Sequence, residues 1–170
     1  MTKRITSLIL VTLLVVSLFA FVGCGQKYNA VIYDTAINWM RTEYITENAT
    51  RNSLIPESEA YPRVITHIIS TQEQFDGAFK EFPQEIIFDK EMLVVYFYTG
   101  NKIINELTGD RFFSHKIKDL KVENEEINIT ILSETLVKGP TGFPPTQQCF
   151  VIKMDKVTAT SVNVKLVGKS

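Results

Sequence analysis

The fold is decided by Met92-Leu93-Val94-Val95-Tyr96-Phe97-Tyr98, an apolar run that Thr99-Gly100-Asn101 bring to an end. The run has no polar residue on either alternating face and is rich in β-branched and aromatic side chains. A continuous pattern of this length is typical of a strand that is buried on both faces. We therefore expect a central strand here, with the rest of the domain built around it.

A short helix is predicted immediately before this strand. Ser70-Thr71-Gln72-Glu73 forms a capping box, and Thr71 with Gln74 offers a second frame one residue later. Pro83 prevents clean continuation of a helix. Between the cap and the proline, four apolar residues recur at helical spacing: Phe75, Ala78, Phe79 and Phe82. This pattern predicts a helix of about three turns whose phenylalanine face packs on a sheet.

The remaining apolar residues alternate with polar ones, which is typical of strands with one solvent-exposed face. Glu123-Asn124-Glu125 predicts a turn, and a shift in the alternation at Lys118-Asp119 predicts a β-bulge. Segment 36–44 is either a short helix or, as we favour, a first strand, and 45–62 is a polar surface loop. Strands are predicted at 63–69, 92–98, 111–122, 126–135, 147–154 and 161–167.

The fold class that follows is α+β, a mainly antiparallel sheet or meander, barrel-like or sandwich-like, with one short packed helix. In a meander, the loops 99–110 and 138–146 lie at the same end and the turn 123–125 lies at the other. Loops on a rigid sheet are where binding residues concentrate, although glycine and proline there also serve only to close turns. The candidate binding residues at the shared end are Thr108, Gly109, Arg111, Phe112, Thr141, Gly142, Phe143 and Pro144.

The first residues have the pattern of an export signal. Lys3 and Arg4 precede an apolar segment, 8–22, that is at the short limit for a membrane span. The small residue Gly23 then comes directly before Cys24. This pattern resembles the lipobox of bacterial lipoproteins, in which the cysteine receives a lipid and becomes the new N-terminus. A single uncleaved membrane helix is the alternative. We expect a signal peptide at 1–23, a lipidated Cys24 with a short tether over 24–35, and one domain over 36–170.

Composition limits the kinds of binding and catalytic sites that are expected. Lys3 and Arg4 are the only charges in the leader, so its removal makes the formal net charge of −1 more negative. A basic face for nucleic acid is not expected. Cys149 lies in an apolar strand pattern and is interpreted as a small buried hydrophobe. His67 and His115, each in its own alternating strand, are interpreted as structural. No spacing resembles a metal site, and neither a metal nor another cofactor is expected.

Two further segments carry a family resemblance. They are Ile69-Ser70-Thr71-Gln72-Glu73-Gln74-Phe75 and, after the helix, Ile87-Phe88-Asp89-Lys90-Glu91-Met92-Leu93-Val94-Val95-Tyr96-Phe97. Together they resemble the PrcB-like C-terminal domain, named from an accessory subunit of a surface protease complex. Leu107-Thr108-Gly109-Asp110-Arg111-Phe112 occupies the place of that family's P-T-G-G-Y-like turn, with Leu for Pro and Asp for the second Gly. The resemblance spans about residues 63–166, and the family layout supplies no catalytic residues.

The function expected from these features is that of a non-catalytic lipoprotein on the outer face of a Gram-positive cell membrane. It is held there by its N-terminal lipid and binds or stabilises another cell-surface protein. One alternative is a chagasin-like protease inhibitor, since Thr141-Gly142-Phe143 is similar to the loops of that family. A small-ligand-binding or hydrolytic protein is a further alternative. No catalytic site can be assembled from the carboxylates, which lie in a turn and on strand faces, so an enzyme is not expected.

Overall fold

The structure, a computed structural model, describes residues 27–49, 64–100, 113–136 and 146–169. In these ranges the chain forms seven strands and two short α-helices, with a 3₁₀ turn at Ala36–Trp39. The helices are α1 (Thr42–Ala49) and α2 (Gln72–Ala78). The strands are β1 (Ala30–Tyr33), β2 (Val64–Ile69), β3 (Glu91–Gly100), β4 (Phe113–Glu123), β5 (Glu126–Thr135), β6 (Thr146–Asp155) and β7 (Ser161–Lys169).

The strands form two separate sheets. The central sheet has the order β1-β6-β3-β2, and each pair of neighbours is antiparallel. The second sheet has the order β4-β5-β7, in which β4 and β5 are antiparallel and β5 and β7 are parallel. The two sheets pack face to face as a sandwich and are not closed into a barrel.

The central sheet is covered on both faces. On one face, Val94 and Tyr96 of β3 pack in a buried cluster with Ile129 of the second sheet. On the other face, Val95 and Phe97 pack against the short helices and the segments beside them. This three-layer arrangement explains the continuous apolar run of β3, because successive side chains of a strand point to opposite faces.

The structure confirms the α+β class, the mainly antiparallel pairing and the short packed helix. The simple meander order is wrong, because β3 lies between β6 and β2 and does not pair with β4. The reason is physical: β4 exposes charged side chains such as Lys116 and Lys121 on one face, so it suits an outer sheet. β3 has no polar face and belongs where both faces are covered.

The segment predicted as a first strand, 36–44, instead contains the 3₁₀ turn Ala36–Trp39, the bridge residue Met40 and the start of α1. Ala36, Met40 and Tyr44 recur every four residues and pack in the helix-side core. Part of the polar segment 45–62 is also helical, since α1 continues to Ala49. The fold begins before residue 36 as well, because Ala30–Tyr33 pairs with β6 where a tether was expected.

The cap of α2 follows the second of the two predicted frames. Thr71 Oγ1 accepts a hydrogen bond from the Gln74 backbone N–H at 3.3 Å, and Gln74 Oε1 accepts one from the Ser70 N–H at 2.8 Å. The helix ends at Ala78, earlier than predicted. Phe79 is already extended and forms an isolated bridge with Met40, so pairing with this segment ends the helix before Pro83 does.

The hairpin between β4 and β5 confirms two predictions. Its register shifts between Ile117 and Asp119, which is the expected bulge. Its two turn residues, Asn124 and Glu125, both have left-handed backbone angles, with φ of 52° and 61°. Two left-handed residues are the requirement of a type I′ turn, whose twist matches that of the flanking strands.

Among the described residues, no helix is long and apolar enough to cross a membrane.

The start of β3 is fixed by one carboxylate. Glu91 Oε2 accepts a hydrogen bond from the Ile87 N–H at 3.0 Å, and Glu91 Oε1 accepts one from Lys153 Nζ at 3.1 Å. The bond from the Ile87 backbone, followed by that from Lys153, lowers the pKa of Glu91. The ionised carboxylate therefore ties the chain before β3 to β6.

Glu91→Gln is expected to lower the melting temperature near neutral pH. The folded-state pKa of Glu91 is lowered, so its contribution is fully present above its unfolded pKa. That contribution is lost as pH falls through the folded-state value. Thermal unfolding of both proteins across pH measures the difference, which should disappear once the pH lies below the folded-state pKa of Glu91. Glu123→Gln at the exposed hairpin is the matched control and should show no such trend; a pH-independent deficit for Glu91→Gln would contradict this account.

Candidate functional site

The two long connections between the sheets are joined at their bases. Gly100, the last residue of β3, is the backbone partner of Thr146, the first residue of β6. In the second sheet, Phe113 at the start of β4 is the partner of Thr135 at the end of β5. The connections 101–112 and 136–145 therefore run between the same two pairs of strand ends. We call this part of the sandwich the loop end.

All of the residues predicted to bind or to be modified lie outside the described residues. They are Cys24, Thr108, Gly109, Arg111, Phe112, Thr141, Gly142, Phe143 and Pro144. Their roles stay predictions. What the structure describes is the scaffold that carries the two connections, including the strand ends from which both of them leave.

A partly buried chain of polar side chains crosses between the sheets near the loop end. His115 Nδ1 lies 3.1 Å from Asp34 Oδ2, and His115 Nε2 lies 3.1 Å from Ser133 Oγ. Asp34 directly follows β1 in the central sheet, whereas His115 and Ser133 belong to the second sheet. The three groups thus link the two layers. We call them the inter-sheet link.

Strand geometry brings these three residues together. His115 and Ser133 are directly opposite partners in the β4–β5 hairpin, so their side chains emerge on the same face. Ala30 and Ile32 of β1 also face the second sheet, and Asp34 is the next residue with that orientation. The carboxylate therefore meets the histidine from the opposite sheet.

Aromatic rings surround the inter-sheet link. The His115 ring lies 4.6 Å from the Phe150 ring, and the Tyr98 ring lies 4.8 Å from the same phenylalanine, measured between centroids. Burial raises the pKa of Tyr98, and the neighbouring acidic groups of Tyr96 and Asp34 raise it further. Tyr98 is therefore held as a neutral phenol beside the link, where an unpaired charge would be costly.

The inter-sheet link has the bonding order of a serine hydrolase triad, in which an acid orients a histidine that contacts a serine. The exposure of its members differs from that of a catalytic triad that a substrate can reach. The His115 side chain is only 2% exposed and Asp34 is 13% exposed, while Ser133 is half-buried. A general base must be reachable by the reacting group. With the histidine as the most enclosed member, the geometry favours a structural link that fixes the sheets at the loop end.

Sequence reasoning identified His115 only as a structural residue and missed its two partners. The pairing with Ser133 was accessible in principle: a two-residue turn at Asn124-Glu125 and one bulge residue place position 115 opposite position 133. Nothing in the local sequence pattern indicated Asp34, because it lies 81 positions from His115 in the sequence.

The single cysteine of the described residues is buried, as predicted. Cys149 is 1% exposed and its Sγ lies 3.6 Å from Met40 Sδ. Burial strongly raises the pKa of this thiol, which keeps it in the unreactive protonated form.

Within the described ranges, no group of three or more His, Cys, Asp or Glu side chains is placed to hold a metal ion.

Comparison with protein-family models, curated proteins and solved structures found no match for this chain. The resemblance to PrcB-like domains stays a prediction.

Ser133→Ala is expected to destabilise the fold by about 1–3 kcal/mol, because it leaves His115 Nε2 without its partner in a buried site. Chemical denaturation measures this loss. Ser114→Ala is the matched control, since Ser114 is adjacent to His115 and points to the other face of the second sheet. The control should change stability by no more than about 0.5 kcal/mol. Equal effects of the two substitutions would show that the inter-sheet link does not stabilise the fold.

Proposed function

We propose that this chain is a membrane-anchored, extracytoplasmic module that binds another cell-surface protein through the connections 101–112 and 136–145. The observation that carries the proposal is the pairing of Gly100 with Thr146 and of Phe113 with Thr135. Both connections therefore leave the described scaffold at the same end. Binding residues concentrate on such loops when a rigid scaffold positions them.

The scaffold beneath the connections supports this role. β3 and β6 pair over their full length, from Glu91 with Asp155 to Gly100 with Thr146. The inter-sheet link then holds the second sheet against the central one. Leu136, at the start of one connection, is 53% exposed. An exposed large apolar side chain next to a loop surface is consistent with contact to a protein partner.

The position of the N-terminal segment supports a partner outside the bilayer. The Asn29 N–H donates to Asp155 Oδ2 at 2.8 Å, so the chain enters the fold beside the last residue of β6. The connections meet the central sheet at Thr146, the first residue of β6. Ten strand residues span about 33 Å. A lipid on Cys24, close in sequence to Asn29, would thus hold the end opposite to the loop end near the membrane.

The test is capture of partner proteins from the native membrane by the full chain. Phe143→Ala and Arg111→Ala are expected to reduce capture of a specific partner by about tenfold or more, as interface hot-spot residues do. Val31→Ala and Lys121→Ala, at exposed sites away from the connections, are the matched controls and should capture normally.

Wild-type capture by both loop variants would overturn the proposal. Inhibition of a papain-like protease that is lost in Phe143→Ala would replace it with the chagasin-like alternative.

Hydrolysis is the alternative to a structural link, since Asp34, His115 and Ser133 have the bonding order of a catalytic triad. In such a reaction Ser133 Oγ attacks an ester carbonyl carbon while its proton passes to His115 Nε2. The same proton then goes to the departing alcohol oxygen as the carbon–oxygen bond breaks, and water releases the acyl group from Ser133.

A fluorophosphonate probe distinguishes this activity from a structural link. An active Ser133 loses its proton and displaces fluoride, which leaves a phosphonylated serine that mass spectrometry locates. Because His115 is enclosed, we expect no labelling of Ser133. Labelling that Ser133→Ala removes and Ser114→Ala retains would establish the hydrolytic function.

A further inference from the structure

A second surface feature lies beside α2, at the end of the molecule where β3 begins. It is a cleft of about 290 Å³. Pockets for small-molecule ligands usually measure about 300–1,000 Å³, so this cleft lies at the lower limit of that range and has room for one long side chain. Its lining residues are Gln72, Phe75, Phe82, Gln84, Glu85, Ile86 and Phe88.

Three phenyl rings form the apolar part of the cleft. Phe75 lies at their centre, with its ring centroid 5.9 Å from that of Phe82 and 5.8 Å from that of Phe88. All three rings are partly exposed. The face of an aromatic ring carries negative electrostatic potential, which attracts a cation placed over it.

One carboxylate, that of Glu85, lines the cleft. Glu73, Glu81 and Asp89 are exposed carboxylates in the neighbouring sequence. In the described part of the chain, none of these four carboxylates forms an ion pair with a basic side chain. Segment 72–90 contains five acidic residues against two lysines. Lys156, whose Nζ donates to the Phe88 carbonyl, adds a third lysine. The group still has a net negative charge, which attracts a cation.

The wall of the cleft is fixed in place before any partner binds. The Ile87 N–H donates to the Glu91 carboxylate, and the Ile87 carbonyl accepts hydrogen bonds from the N–H groups of Lys90 and Glu91 at 2.8 Å. Lys156 Nζ donates to the Phe88 carbonyl. Binding therefore requires little ordering of the protein, which favours affinity from a small contact. Ile87 itself is 52% exposed beside the cleft and extends the apolar surface.

We propose that this cleft binds an arginine side chain of a partner polypeptide. The guanidinium group stacks on the phenyl rings and pairs with the Glu85 carboxylate, while the aliphatic stem lies along Ile86. Arginine fits better than lysine because its planar group stacks on aromatic faces and pairs with a carboxylate through two hydrogen bonds. This surface is separate from the loop end, so the proposal does not depend on the loop-mediated function.

The test uses the full chain in lipid nanodiscs and two tripeptide probes, acetyl-Ala-Arg-Ala-amide and its citrulline counterpart. Citrulline keeps the shape of arginine without its charge. The single tryptophan, Trp39, reports binding through its fluorescence, since its ring lies 5.5 Å from that of Phe82 in the cleft wall. The arginine probe is expected to saturate with a dissociation constant of about 1 mM or lower. The citrulline probe should bind at least about tenfold more weakly.

Two variants complete the test. Glu85→Gln should abolish the preference for arginine over citrulline, and Glu123→Gln, an exposed glutamate on the second sheet, should retain it. Equal binding of the two probes, the absence of saturation by either one, or an unchanged preference in Glu85→Gln would each overturn the proposal.

Discussion

The structure depends on the burial of β3 on both faces. Between Met92 and Tyr98, no side chain is more than 9% exposed. Full burial of a large apolar side chain stabilises a fold by about 1.5–3 kcal/mol. A strand with seven such side chains in succession requires an apolar layer on each side. The helix layer supplies one of them, and the second sheet supplies the other.

This constraint also explains the loop end. β6 shares the central position with β3, and both strands are buried. The chain leaves β3 for the second sheet, forms the β4–β5 hairpin there and returns to β6, so it crosses between the layers twice at one end. Asp34, His115 and Ser133 join the two layers close to these crossings. A binding surface at the loop end would therefore rest on a scaffold with little freedom to deform.

Much of this fold is predictable from the sequence because it follows from local patterns. Alternation locates β2 and β4 to β7, a continuous apolar run locates β3, and a serine–threonine pair with Gln74 locates the start of α2. The strand order is not local, since an apolar face does not specify which neighbour covers it. The parallel pairing of β5 with β7 is an example, because β6 crosses to the other sheet between them. For the segment after Asp34 a short helix was the less favoured of two predictions, because a nine-residue stretch with alternating and four-residue spacing fits both patterns.

In the candidate site, too, only the features that follow from local sequence patterns were predicted. The candidate loop residues were selected by composition and lie outside the described residues. The structure shows only that the two connections begin and end at paired strand ends. The inter-sheet link was not selected, because it joins one residue from each of β4 and β5 with Asp34, which follows β1 in the other sheet. The surface cleft beside α2 was not selected either. Its phenylalanines were interpreted as core residues, and its acidic residues as ordinary solvent-exposed surface. Tertiary structure alone places those two groups side by side.

The central claim is that β3 pairs with β6, which brings both inter-sheet connections to one end. Nuclear Overhauser contacts between backbone protons of the full chain test it directly. The account predicts cross-strand contacts between Val95 and Val151, together with parallel contacts between Ile129 and Val164. Contacts that instead pair β3 with β4 in a sequential meander would contradict it.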